Sequence, residues 1–336
     1  MAECKRERTI GVVRALGNQV GGLIVVIAAI IFPVFLSEFH VYILCLIGIN
    51  AIGALGLNIL VGYTDQISLG HASFVGIGAY TTAILSSNGF PVWLTLPSAV
   101  TITSLVGFAV GLPCLRLKGL YLAVATLAFA WAIPELILKS PSLTGGFSGI
   151  STKEVSVIGI SFKEHLHLFY YFVLILVLLV VWIVSNVRNS KFGRAFIALR
   201  DSEEGAKAMG INLNIYKTLA FVLSSALAGI AGNLYAYLIG TVTPYDFDLW
   251  YSIYFLVAIV IGGMGSIPGS LLGGAFITLV PIWLSGLRNL PNIVFGLALI
   301  LVVLLLPGGL IGFIKYVLGR CGRIMELRSE DEPVRS

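Results

Sequence analysis

Charge is scarce in this chain. Asp, Glu, Lys and Arg make up 11% of the 336 residues against 58% hydrophobic ones, and the mean hydropathy is +0.99. A water-soluble fold of that composition would have no polar surface, so soluble enzymes and soluble binding modules are excluded. Cysteine is sparse as well. Cys4, Cys45, Cys114 and Cys321 stand apart, with no C-x-x-C and no histidine pairing, which leaves free thiols rather than a disulfide framework or a zinc site. His40, His71, His165 and His167 are isolated, and no Ser/His/Asp set or paired carboxylate occurs, so no covalent chemistry and no cofactor are expected of the chain. There is no G-x-x-x-x-G-K-[ST], hence no P-loop to cradle ATP phosphates. Gly263-Met264-Gly265 follows no strand, so it is no nucleotide fingerprint either. The net charge of +5 does not indicate nucleic acid, because the basic residues sit in patches between apolar runs.

What the sequence has is long apolar runs. A membrane-crossing helix needs about 20 such residues to pass a hydrocarbon layer of ~30 Å. Runs of that kind fall at 20–36, 41–61, 67–87, 92–112, 119–138, 166–185, 217–239, 250–263, 267–285 and 291–306, several of them short. The count is about ten, and half-helices are an option for the last three. MAECKRERTIGVVRALGN before the first run resembles a signal peptide, but with no small-residue cleavage site it reads as a retained first helix. With an even number of spans, Lys5, Arg6, Arg8, Arg14, Arg116, Lys118, the basic residues from Arg188 to Lys217, and Lys315, Arg320, Arg323, Arg328 and Arg335 share one side. Lys139, Lys153, Lys163 and Arg288 fall on the other. That asymmetry puts both termini in the cytoplasm. The expected organisation is a cytoplasmic segment 1–19, a membrane domain 20–314 with an external loop 139–165 and a cytoplasmic loop 186–216, and a cytoplasmic tail 315–336.

The cytoplasmic loop is the longest polar interruption between apolar runs. In RNSKFGRAFIALRDSEEGAKAMGINLNIYK, Phe192, Phe196 and Leu199 recur at near-helical spacing. Asp201 with Glu204 three residues on makes a capping box for a second helix, and Gly210 supplies its C-cap. A short capped rod of about eight residues, ~12 Å long, outside the membrane suits docking. Its candidate contact residues are Gly193, Arg194, Arg200, Asp201, Glu203, Glu204, Ala206 and Gly210.

Elsewhere, LNILVGYTDQISLGHASFVGIGAY carries Gly62, Gly70, Gly76 and Gly78, small residues that let helices approach closely. Ser225, Gly229 and Asn233, with Ala228, Gly232 and Ala236 beside them, form a second small-residue face, for packing within the chain or against a partner subunit. Asp65 and His71 fit either an ion or proton relay or a loop anchor. Glu135, the acidic residue inside a predicted span, next to a bend expected at Pro134, fits either a functional group or an anchor. The glycines of SPSLTGGFSGI belong to a landing surface for an outside partner or simply to turns.

Glu204-Gly205-Ala206 followed by Gly210 resembles the E-A-A-x-x-x-G loop of bacterial ATP-binding-cassette (ABC) importer permeases, with Gly205 in place of the usual Ala and no later I-x-L-P. SLGHASFVGIGAY from Ser68, RLKGLYLAVATLA from Arg116, TGGFSGI from Thr144 and PGGLIG from Pro307 resemble the LivM-type branched-chain amino-acid permeases. The resemblance implies an all-α integral membrane protein in the arrangement of the vitamin B12 importers. It would sit in the bacterial inner membrane as a transport subunit with no ATPase site, the ATP being hydrolysed by partners. Those partners would be a LivH-type permease subunit, two cytoplasmic ABC ATPases and an extracytoplasmic substrate-binding protein, beside membrane lipid. The implied cargo is leucine, isoleucine and valine. Urea, short amides or another small amino acid are the alternatives, and a secondary transporter or channel is a further one.

Overall fold

The computed structural model describes residues 27–115, 117, 119–153, 156, 157, 160, 161 and 166–284, with 293, 294, 296, 297, 300, 301, 304 and 309–312. The expected segments 1–19 and 315–336, residues 20–26 of the first span, most of the last span, and Arg116, Lys118, Lys163 and Arg288 lie outside the described residues.

The rest is helical. The major helices are α1 (Glu38–Leu57), α2 (His71–Ser87), α3 (Val92–Cys114), α4 (Leu120–Leu138), α5 (Leu166–Asn189), α6 (Lys191–Asp201), α7 (Glu203–Ala208), α8 (Leu213–Ile239), α9 (Leu249–Gly262) and α10 (Ile267–Trp283). The two-residue strands β1 (Ile150–Ser151), β2 (Ser156–Val157), β3 (Ile160–Ser161) and β4 (Thr241–Val242) pair β1 with β4 and β2 with β3, both antiparallel. Among the described residues six segments are long and apolar enough to cross a bilayer: Glu38–Gly62, Val92–Cys114, Leu120–Leu138, Leu166–Asn189, Leu213–Ile239 and Pro244–Gly262. The chain is a multi-pass helical membrane protein.

Helix α8 is the centre. It packs most extensively on α3 and α2, then on α1, while α10 and α5 pack on other sides of α1. α1 and α8 are apolar all round and buried along most of their length, as helices without a solvent face must be. Glycine makes the contacts possible. A Cβ on Gly232 would lie 2.1 Å from the Val75 carbonyl oxygen, and one on Gly78 2.8 Å from Cα of Gly229. Gly229 in turn faces Thr103 of α3. The small-residue face of α8 is therefore filled inside the chain by α2 and α3, which settles its use as internal packing. Gly70 meets the Thr126 carbonyl of α4, and Gly76 meets Phe247.

Polar side chains clamp the same contacts. Asn233 Nδ2 donates to Thr82 Oγ1 (2.8 Å) and Thr95 Oγ1 (3.2 Å), and Thr95 bonds the Tyr237 hydroxyl at 2.6 Å, joining α8, α2 and α3. On the other flank Asn50 Nδ2 donates to Thr278 and Tyr251 donates to Asn50 Oδ1, joining α1, α10 and α9.

One sequence expectation changes here. The span read at 67–87 is helical only from His71, and 65–70 is irregular. Thr64, Gln66 and Ser68 there are buried and internally bonded, and Leu69 N–H donates to Thr126 Oγ1. Pro134 lies inside α4, which continues to Leu138. Between α4 and α5, Gly145, Gly146 and Gly149 all have positive φ (70°, 58° and 69°), so the TGGFSG glycines are turn residues.

Because Gly232 touches backbone rather than movable side chains, Gly232→Val will destabilise the folded chain by ~1–3 kcal/mol. Thermal unfolding in detergent will show a lowered midpoint, whereas Leu105→Ala on the exposed face of α3 will leave it nearly unchanged.

Candidate functional site

The candidate site is the polar loop between α5 and α8. α5 ends at Asn189, and Ser190 caps α6 by accepting from the N–H groups of Phe192 and Gly193. Gly193 is required by a close approach, since a Cβ there would lie 2.1 Å from the Arg188 carbonyl oxygen. The exposed Arg194 donates from Nη1 to the Asn189 carbonyl at 3.3 Å, closing the end of α5. Phe196 and Leu199 are buried, and the Phe196 ring meets Tyr216 edge-on at the start of α8.

The break between α6 and α7 is at Ser202, in extended conformation, whose hydroxyl accepts from Gly205 N–H at 3.0 Å. Asp201 is thus the last residue of α6 and not the cap of α7. The capping-box spacing misplaced the start by one residue, because Ser202 caps as well as Asp does. α7 is correspondingly shorter, six residues from Glu203 to Ala208. At its far end Gly210 has φ +81°. Its N–H donates to the Lys207 carbonyl and Ile211 N–H donates to that of Ala206, both at 3.0 Å, the double closure of a Schellman C-cap. Ala206 is buried beneath α7, while Glu204, Lys207, Ala208 and Met209 are exposed.

Three contacts tie this loop to the membrane helices. Glu203 pairs with Lys217, a buried lysine in the first turns of α8. Arg200 Nη1 donates to the Gly62 carbonyl at 2.9 Å. Gly62 ends a π-turn, Asn58–Gly62, that continues α1, and Asn58 of that turn accepts from Gly265 N–H (2.8 Å) and donates to the Ser266 carbonyl (3.2 Å). Gly265, with φ +73°, lies in the turn between α9 and α10. One short loop therefore touches the ends of α1, α5 and α8, and through Asn58 the α9–α10 turn. Charged and backbone bonds, rather than loose apolar contacts alone, join α6 and α7 to those helices.

The structure places Gly193, Arg194, Arg200, Asp201, Glu203, Glu204, Ala206 and Gly210 within this loop. Gly193, Ala206 and Gly210 shape it, Arg200 and Glu203 anchor it, and Asp201 and Glu204 face outward. The helix-packing glycines Gly70, Gly76, Gly78, Gly229 and Gly232 lie in the membrane bundle described above. Sequence reading missed Ser202, the partnership of Lys217, and the junction of Asn58 with Gly265. The lysine sat inside a loop rich in basic residues, where nothing singled it out.

His71 is buried, its Nε2 2.8 Å from the Gly53 carbonyl and its ring edge-on to Phe255, so it anchors α2 against α1 and α9. Asp65, at φ +55°, is exposed at the end that carries the loop.

These features define a multi-pass helical membrane protein whose helices converge on one exposed polar loop. Residues 39–306 match the family described as branched-chain amino acid transport system / permease component, and the chain belongs to it. It is 34% identical over 264 residues to the high-affinity branched-chain amino acid transport system permease protein LivM of Salmonella typhimurium, covering 71% of this chain and 62% of that protein. A probable branched-chain amino acid transport permease protein LivM of Methanocaldococcus jannaschii is 27% identical over 245 residues, 70% of each chain. The LivH permease of the Salmonella system is 34% identical over 107 residues, 29% of this chain and 34% of that one. The chain thus spans under two thirds of the Salmonella LivM it matches. No solved structure matches it.

Glu203→Ala leaves the Lys217 ammonium buried without its carboxylate. Removing a charge-assisted bond of this kind costs roughly 2 kcal/mol. Hydrogen exchange of the α7 amides will quicken, and the double change Glu203→Ala/Lys217→Ala will restore part of the protection.

Proposed function

We propose that this chain is the permease subunit of an ABC importer for branched-chain amino acids. In this reading it forms the path with a LivH-type permease, receives substrate from an extracytoplasmic binding protein, and is driven by two cytoplasmic ATPases that hydrolyse the ATP. The observation that carries the proposal is the loop 190–212: a capped, exposed helix pair bonded directly to the ends of several membrane helices. That is the geometry of a handle. The similarity to proteins printed as LivM, and over a shorter stretch to LivH, supports the cargo and the partner subunit.

The ten-span count, the vitamin B12 importer arrangement, the bacterial inner membrane and the cytoplasmic placement of both termini belong to the same proposal. Their support is the two-sidedness of the bundle. Gly62, Asp65, Arg200 and Gly265 gather at one end, while β1, β4 and Lys139 lie at the other. A secondary transporter would carry buried ionisable groups near the middle of the membrane. Of the described Asp, Glu, Lys, Arg and His residues, only His71 and Lys217 are buried; the first bonds a carbonyl and the second is paired in the loop junction.

Uptake of labelled leucine is to be measured in cells lacking the gene and in cells with it restored. The proposal predicts restored uptake that stops on ATP depletion and ignores excess urea. Unchanged leucine uptake would remove the cargo assignment. In the same assay Gly210→Val, which meets no atom within 4 Å but forces a branched residue to φ +81°, strains the cap by ~1–2 kcal/mol and will lower uptake while ATP hydrolysis continues.

A further inference from the structure

Across the bundle from the loop, the outer ends of α4 and α9 enclose a cleft of about 460 Å³. That is within the ~300–1,000 Å³ range of small-molecule sites. Trp131, Pro134 and Glu135 line it from α4, and Asp248 and Trp250 from the start of α9. Both indoles are exposed. Trp131 and Glu135, four residues apart, share one stripe of α4. Asp248 is held in place as the N-cap of α9, its Oδ1 accepting from Tyr251 N–H at 3.0 Å. Lys139 stands one turn beyond Glu135, its Nζ 3.3 Å from the carboxylate.

We propose that this cleft receives a zwitterionic amino acid with an apolar side chain on its way into the path. The proposal rests on the importer reading above. Carboxylates from two different helices face one concavity, which suits an ammonium group. The indole faces add cation–π attraction and cover an aliphatic side chain. Lys139, one turn beyond the lining and paired with Glu135, offers the opposite charge nearby for the substrate carboxylate. Among the described residues α4 packs chiefly on α2, on α9 and on neighbouring turns, and Leu120, Tyr121, Val124, Trp131 and Leu136 along it are exposed, so one of its faces is open. A carboxylate turned toward hydrocarbon is costly, so the face bearing Glu135 suits a wet path better than lipid.

The test uses the full chain purified with its partner subunits in lipid nanodiscs, read by tryptophan fluorescence. Leucine is titrated against isovalerate, which lacks the ammonium group, and isoamylamine, which lacks the carboxylate. The proposal predicts a response to leucine that shrinks in Trp250→Phe, a weaker response to isoamylamine and none to isovalerate. Glu135→Gln/Asp248→Asn will raise half-saturation by leucine roughly tenfold, the loss expected of charge-assisted bonds. Equal responses to leucine and isovalerate, or unchanged half-saturation in the double variant, would overturn it. So would a double variant that loses only association with the binding protein, for the cleft would then be a protein contact. A leucine response in a chain that does not restore uptake would keep the cleft and remove the importer reading.

Discussion

Everything in this fold depends on how closely α8 approaches α2 and α3. In hydrocarbon, lipid is as apolar as the helices, so association relies on packing and interhelical hydrogen bonds rather than on release of water. Gly78, Gly229 and Gly232 allow backbone to meet backbone, and Asn233, Thr82, Thr95 and Tyr237 lock the same contact with polar bonds. A side chain at any of those glycines would push apart helices that the hydroxyl and amide bonds hold together. The result is a stiff central unit with more loosely packed helices, notably α4, around it.

Stiffness at the centre gives the polar loop its significance. Lys217, paired with Glu203, belongs to the same helix as Gly229 and Asn233, so α7 is bonded to the most closely packed helix of the bundle. Arg200 bonds a different place, the π-turn at the end of α1, whose Asn58 is in turn bonded to the α9–α10 turn. In the proposed importer these two attachments are where rocking of helices about an interface would reach the loop.

Much of this was legible in the sequence. Apolar run length located most of the membrane helices, and the spacing of Phe192, Phe196 and Leu199 and the glycine at 210 located the loop helices. Boundaries were harder. Ile67 and Leu69 pass for the first turn of the span read from 67, but 65–70 is irregular and the Leu69 N–H donates to Thr126 of α4 instead. Asp201 against Ser202 could not be decided by spacing, since both side chains cap well. The cleft beneath Trp131 and Trp250 was not visible at all, because its walls come from helices more than a hundred residues apart in the chain.

That an ATPase subunit takes hold at α7 is tested most directly by crosslinking. With Ala208→Cys introduced in place of the native cysteines, and the whole importer assembled in membranes, a short cysteine-to-lysine crosslinker should join position 208 to a cytoplasmic ATPase subunit, with a yield that changes when ATP is added. Crosslinks from position 208 that reach only other membrane subunits, or none at all while the importer is active, would contradict the role given to the loop.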